Sequence, residues 1–307
     1  MRVLVTGASG FVGRETVRTL AQRGHEVRAA CRRAISISGG VAAISHGDLV
    51  SDIDWSRMLA GCDAVVHLAG IAHVSAGIPD AAYDRTNHQA TRALAHAAAR
   101  EGIKRFVLMS SIRAQSGPAA DHVLTEDEQA NPTDAYGRSK LAAERAVEET
   151  LLPYTILRPV VVYGAEAKGN VATLLRVAAL PMPLPFGALP GRRSLVSLAA
   201  LVDAIDFCLQ HAPPRQTYIV ADRAPISLPQ MIAALRHGLG RPPGLFRVPP
   251  SALRLLLRVA GKADLLERID GDLIASPAKL IEAGWRGATD TAAALEHLAR
   301  ETVSAGR

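Results

Sequence analysis

The chain has 307 residues, enough for one large unit or two fused ones, and its 49% apolar and 21% charged residues exclude a disordered or fibrous protein. Lys and Arg number 35 against 29 Asp and Glu, a net charge of +6 spread along the chain. That excess suits an anionic small ligand, and without clustered basic and aromatic residues no nucleic-acid partner is expected.

The chain opens on a strand pattern, Met1-Arg2-Val3-Leu4-Val5-Thr6, so no signal peptide is expected. No apolar run reaches the length of a membrane span, so a cytoplasmic protein with no integral membrane segment is expected. Strands are predicted over Arg2–Thr6, Glu26–Cys31, Val41–Ser45, Ala64–Leu68, Arg105–Ser110 and Tyr154–Val162. Helices are predicted over Phe11–Arg23, Ala81–Arg100 and Asp134–Glu149. Apolar strands without alternation, separated by helices, are the pattern of βαβ units stacked into a parallel sheet covered on both faces. The expected fold is α/β, a doubly wound parallel sheet of the Rossmann type with a smaller C-terminal α/β domain.

After Gly164 the prolines change the character of the chain: Pro181, Pro183, Pro185, Pro190, Pro213, Pro214, Pro242, Pro243, Pro249 and Pro250. Each fixes φ and removes a donor, so a regular parallel sheet cannot continue. The dinucleotide-binding domain is therefore placed at 1–164 plus roughly 195–221, where a helix and a strand return to the main sheet. A substrate domain takes 165–194 plus 222–307. Within it, the apolar stretch 252–260 reads as a helix covering the smaller core. Cys31, Cys62 and Cys208 are scattered and read as buried small hydrophobes in a reducing compartment, and no histidine pair has a metal-ligand spacing.

The first strand runs into Gly7-Ala8-Ser9-Gly10-Phe11-Val12-Gly13, with glycines at i, i+3 and i+6 before a helix. Gly7 permits the turn, Gly10 lets backbone approach a pyrophosphate, and Gly13 lets helix and strand close up. The helix N-terminus then presents N–H groups to phosphates. The second strand ends in Cys31-Arg32-Arg33, where NAD enzymes place a carboxylate for the ribose hydroxyls. Two guanidiniums suit a 2′-phosphate, so NADP(H) is favoured, with NAD(H) as the alternative. Asp48 in Gly47-Asp48-Leu49 either meets the adenine amino group or caps the following turn.

Tyr136-Gly137-Arg138-Ser139-Lys140 sets a phenol and an ammonium four residues apart on one helix face. A neighbouring cation lowers a phenol's pKa and makes it usable as an acid and base. Ser111 ends the fifth strand, at the edge of a sheet where ligands gather, and its hydroxyl can hydrogen-bond a reacting carbonyl oxygen.

These features together resemble the extended short-chain dehydrogenases/reductases, the NAD-dependent epimerases and dehydratases acting on nucleotide sugars. Thr6–Gly13 resembles the family's TGxxGxxG, His67-Leu68-Ala69-Gly70 its HLAG, and Arg158–Gly164 its RPxxVYG. Ser111 lies 25 residues before Tyr136, a spacing familiar from sugar 4-epimerases. The resemblance implies that Ser9, Phe11, Val12, Leu49, Leu68, Ala69, Gly70, Asn87, Pro159 and Val161 join the glycine turn around the cofactor, and that the chain forms a homodimer through its two long helices. It also implies that Asn170, Arg193, Arg268 and Asp272 hold a nucleotide sugar, with Arg193 on the diphosphate. Ser110–Gly117 departs from the family by lacking its Val-Tyr-Gly.

The segments around Lys168-Gly169-Asn170, Pro183–Gly187 and Arg192–Leu195 are similar to enzymes of bacterial surface-polysaccharide pathways that reduce the C4 ketone of UDP-linked 6-deoxy-N-acetylhexosamines. The leading expectation is accordingly such a 4-keto reductase, in which Tyr136 gives the proton, Ser111 polarises the ketone, and Lys140 orients the nicotinamide ribose. A UDP-sugar 4-epimerase using the same residues is the alternative. A carbonyl reductase for a non-nucleotide ketone and a non-enzymatic NADP sensor rank behind.

Overall fold

The structure is a computed structural model that describes residues 1–33, 41, 43–51, 53–71, 77–165, 170–259 and 271–305. Its strands are β1 (Arg2–Thr6), β2 (Glu26–Cys31), β3 (Ala43–Ser45), β4 (Ala64–His67), β5 (Arg105–Met109), β6 (Val123–Leu124), β7 (Tyr154–Pro159), β8 (Val161–Tyr163), β9 (Arg192–Arg193), β10 (Leu195–Ser197), β11 (Gln216–Val220), β12 (Ile226–Ser227) and β13 (Ile274–Ala275). The helices that matter here are α1 (Phe11–Gln22), α2 (Trp55–Leu59), α3 (Asp80–Tyr83), α4 (Ala90–Arg100), α5 (Ala135–Glu148), α6 (Asn170–Ala178), α7 (Leu198–Gln210), α8 (Leu228–Gly238) and α9 (Pro250–Val259). Two more close the chain, α10 (Ala278–Glu282) and α11 (Thr291–Ala305).

Seven strands form one parallel sheet in the order β11-β7-β5-β4-β1-β2-β3, the doubly wound arrangement expected. Successive residues feed opposite faces, which is why the strands carry no polar alternation. Val3 and Val5 of β1 join Val17 and Leu20 of α1 and Leu201, Ile205 and Leu209 of α7 on one side. Leu4 joins Leu94 of α4, Phe106 and Leu108 of β5, and Trp55 of α2 on the other. The order reverses between β1 and β4, so the C-terminal ends of these strands open on a crevice where a ligand can lie.

The segment Leu195–Ala221 returns as expected: β10, then α7, then β11, which extends the main sheet beside β7. The predicted strand Tyr154–Val162 is in fact two. The β7 strand ends at Pro159, and Val161–Tyr163 leaves to pair with β10 in a separate two-stranded sheet. Proline has no N–H to continue a ladder, so the direction changes there. The predicted helix Ala81–Arg100 begins at Asp80 and is interrupted by a π-helical turn over Asp84–Gln89. Widened turns of this kind are often found at functional sites, and here it turns Asn87 inward. In the C-terminal half, Tyr163, Leu195, Ile226, Met231, Leu235, Leu295 and Leu298 build a smaller core. In α9, Leu253 packs against Leu189 while Leu255 is exposed. No helix of the described residues is long and apolar enough to cross a membrane.

Candidate active site

The glycine turn connects β1 to α1 at the sheet's crevice end. Gly7 has a φ of +68°, and a Cβ there would come within 2.7 Å of the Ala69 nitrogen, so the turn and the end of β4 touch through bare backbone. A Cβ on Gly13 would lie 2.1 Å from the Gly7 carbonyl oxygen, which only a glycine avoids. At Gly10, the N-cap of α1, no side chain caps the helix. Its first N–H groups therefore have no side-chain oxygen of their own and can be met by an anion. Val12 packs toward the main core, and Phe11 approaches Gly164 at the end of β8. Ser9 gives its carbonyl oxygen to Arg14.

Around this turn stand the other residues expected to surround a cofactor. Thr6 bonds His67 Nδ1 at 2.6 Å and His67 Nε2 meets Thr91 at 2.9 Å, a buried chain fixing the end of β4. Burial lowers the His67 pKa to about 3, so the ring is neutral and serves as a structural link. Beyond it, Leu68 is half-buried, Ala69 buried and Gly70 exposed. Asn87 accepts the Ile71 N–H at 2.7 Å and donates to Ser139 at 3.0 Å, tying the loop after β4 to α5. Arg32 and Arg33 are exposed at the end of β2, with no ion-pair partner among the described residues. Leu49 is buried, whereas Asp48 is exposed and accepts the Val50 N–H at 3.3 Å, capping the turn. Pro159 is buried at the end of β7 and Val161 is partly exposed just after it.

Three polar residues converge where β5 ends against α5. Asp134 caps α5 by accepting the Gly137 N–H at 2.7 Å, which sets Tyr136 and Lys140 in the first turns of the helix. The buried Tyr136 phenol lies near the Ser111 side chain, whose hydroxyl acts to lower its pKa. Ser110, by contrast, points away and bonds Glu144. Glu144 also grips Arg158 through two hydrogen bonds, 2.6 and 3.0 Å, and Arg158 reaches Gln115 at 3.0 Å. Both charges of this pair are buried, so the network forms a rigid floor beneath the site. Only Arg158 of it belongs to a motif recognisable in sequence. Glu144 and Gln115 carry no local signal, because their roles depend on contacts between β5, α5 and β7.

Lys140 donates to the Met109 carbonyl oxygen at 2.9 Å, and its burial lowers its pKa to about 8. Tyr136 departs from expectation: burial raises its pKa, and the nearby Ser111 hydroxyl and Arg113 charge offset this only in part. The ammonium aims at the Met109 carbonyl oxygen and lies near Gly70. At rest Tyr136 is a neutral proton donor.

On the substrate side the residues are less gathered. Arg193 of β9 donates to the Pro118 carbonyl oxygen at 3.2 Å, beside a cavity of about 620 Å³ lined by Ala119, Ala120, Asp121, Pro190, Gly191, Gly271 and Asp272. Asp272 accepts the Arg192 N–H at 2.6 Å, so one of its oxygens braces β9. Arg268, Lys168 and Gly169 lie outside the described residues, as does the side chain of Asn170 at the start of α6.

Residues 3–221 match the model of the NAD dependent epimerase/dehydratase family. The chain belongs to this family. It is an enzyme of the extended short-chain dehydrogenase/reductase type, as its motifs implied. It is 34% identical over 283 residues to a UDP-glucose 4-epimerase of Vibrio cholerae, covering 88% of this chain and 86% of that one. It is 28% identical to an N-acetyl-alpha-D-glucosaminyl-diphospho-ditrans,octacis-undecaprenol 4-epimerase of Escherichia coli O157:H7, over 88% and 81% of the two chains. Among solved structures, MoeE5 in complex with UDP-glucose and NAD superposes with a TM-score of 0.79 at 25% identity over the whole of both chains. These likenesses favour the epimerase reading over the reductase, and the family is NAD dependent, whereas an NADP preference has no support from them.

Proposed function

We propose that this enzyme is a nucleotide-sugar 4-epimerase acting on a UDP-hexose, with Ser111, Tyr136 and Lys140 as its catalytic residues. The observation that carries the reading is the gathering of buried Ser111, Tyr136 and Lys140 where β5 ends against α5, in a fold whose first helix begins uncapped at Gly10. The likeness to the Vibrio cholerae enzyme supports C4 of a UDP-sugar as the place of reaction.

The residues present fit a nicotinamide dinucleotide. The uncapped start of α1 offers N–H groups to a pyrophosphate, and Gly7, Gly10 and Gly13 keep side chains out of the way. Lys140, buried next to Gly70 and Asn87, places a cation with hydrogen-bonding capacity for ribose hydroxyls. When bound, the dinucleotide supplies a hydride acceptor and donor for sugar C4. Tyr136 takes the proton of the C4 hydroxyl and later returns it, and Ser111 holds the same oxygen by hydrogen bond. Since burial raises the phenol's pKa, the proton-taking step depends on positive charge in the site. Lys140 contributes such charge one turn away, and it is mostly protonated at neutral pH. Arg193 holds the diphosphate from the other side of the crevice, with Asn170, Arg268 and Asp272 completing the nucleotide site.

A second reading rests on one observation. Arg32 and Arg33 are exposed at the end of β2, where a 2′-phosphate would lie, and an exchangeable NADP(H) suits net reduction of a 4-keto sugar. One experiment separates the two. The purified enzyme is incubated with UDP-glucose and UDP-N-acetylglucosamine, and products are resolved by NMR while absorbance of reduced cofactor is followed. The C4 epimer forming without net change in reduced cofactor is the expected result. Stoichiometric consumption of NADPH on a 4-keto substrate, with no epimer formed, overturns the epimerase reading. A homodimer through α4 and α5 is part of the proposal. Its contact cannot be made by the buried alanines Ala95, Ala97 and Ala98, which pack on the protein's own sheet, and falls to Arg92, Ala93, His96, Arg138 and Arg145. Light scattering of the purified protein at twice the chain mass is expected.

A further inference from the structure

Among the described residues, three arginine nitrogens are buried with no hydrogen-bond partner: Nη1 of Arg113, and Nε and Nη2 of Arg193. Other buried arginines of this chain are engaged. Arg158 is held by Glu144 and Gln115, and Arg236 donates to the carbonyl oxygens of Ala178, Leu180, Met182, Pro243 and Gly244. Buried donors are normally paired, and an exception points to a group that completes them. Burial and the neighbouring Arg113 charge hold the Arg193 guanidinium below its ordinary value, only partly offset by Asp272. Two like charges with open donors, brought together from different segments, make a place for an anion.

Its position along the crevice narrows the choice of anion. The Arg113 backbone N–H donates to Ser111 Oγ at 3.2 Å, so this arginine borders the reacting end. Arg193 donates to the carbonyl oxygen of Pro118, the residue before Ala119, which lines the cavity. A group lying between a sugar and a nucleoside is a diphosphate. Arg113 has a second attachment: its Nη2 is ion-paired with Asp134, whose other oxygen caps α5.

We propose that Arg113 is a second arm of the diphosphate clamp, closing with Arg193 on the same anion, and that through Asp134 it couples diphosphate binding to the helix carrying Tyr136 and Lys140. This rests on the nucleotide-sugar reading above and adds a substrate-binding residue to it. It falls in the segment Ser110–Gly117, where this chain departs from the family's usual sequence.

The test titrates the holoenzyme calorimetrically with UDP, inorganic pyrophosphate and uridine, for the wild type, R113Q, R113K, R193Q and the double variant R113Q/R193Q. Loss of a charge-assisted hydrogen bond to phosphate weakens binding by about tenfold to a hundredfold. R113Q is expected to lose that much for UDP and pyrophosphate and nothing for uridine, with part of the loss recovered in R113K. Two residues holding one group are coupled, so the double variant should fall clearly short of, or beyond, the sum of the single losses. R113Q binding UDP and pyrophosphate like the wild type overturns the proposal. In that case a raised KM for the sugar nucleotide alone marks a contact to the sugar, and a lowered melting temperature with lowered kcat marks a purely structural role. A wild type that binds neither UDP nor pyrophosphate overturns the underlying nucleotide-sugar reading as well, which separates the two failures.

Discussion

Replacing Lys140 by methionine should stabilise the protein while destroying its activity, and the size of the gain follows from the burial of the ammonium. Lys140 is 7% exposed, and its pKa falls to about 8 from an ordinary 10.5. The folded state therefore holds this proton less tightly than the unfolded chain. Below about pH 8 both states are charged, and the folded one bears the full penalty, about 3 kcal/mol. As pH rises from about 8 toward 10.5 the folded lysine is already neutral while the unfolded one still releases its proton, so the penalty fades. Against this, K140M loses the 2.9 Å bond to the Met109 carbonyl, worth about 1 kcal/mol. In protein stripped of dinucleotide, K140M should be more stable than wild type by about 2 kcal/mol at pH 7, with the gap near zero by about pH 9.5. Urea denaturation of both proteins across this range measures it, since every other titrating group is common to both and cancels in the difference. A variant less stable than wild type at pH 7, or a gap that does not move with pH, would refute the reasoning.

Three further outcomes follow from the geometry. Gly13→Ala places a Cβ 2.1 Å from the Gly7 carbonyl oxygen, so the turn must shift; a loss of about 1–3 kcal/mol in thermal unfolding, with less dinucleotide retained on purification, is expected. Glu144→Gln leaves the Arg158 charge buried without its carboxylate and should cost about 3–5 kcal/mol in urea denaturation. Tyr136→Phe removes only the hydroxyl of the phenol near Ser111; kcat should fall about a hundredfold or more with UDP affinity unchanged, and an undiminished rate would remove the phenol from the chemistry.

Much of this protein can be read from local order along the chain. Strand and helix periodicity, with glycines at 7, 10 and 13, determined the parallel sheet and its phosphate-binding turn, because hydrophobic period and backbone sterics act within a few residues. The spacing of Tyr136 and Lys140 likewise placed both on one helix face. Tertiary structure decided what lies between segments: that Ser111 meets the phenol while Ser110 turns to Glu144, and that the lysine aims at Met109. It also decided that a π turn swings Asn87 inward, and that Arg113 and Arg193 both keep buried donors unmet among the described residues. Burial and the juxtaposition of distant charges set these properties, and neither is written in any local stretch of sequence.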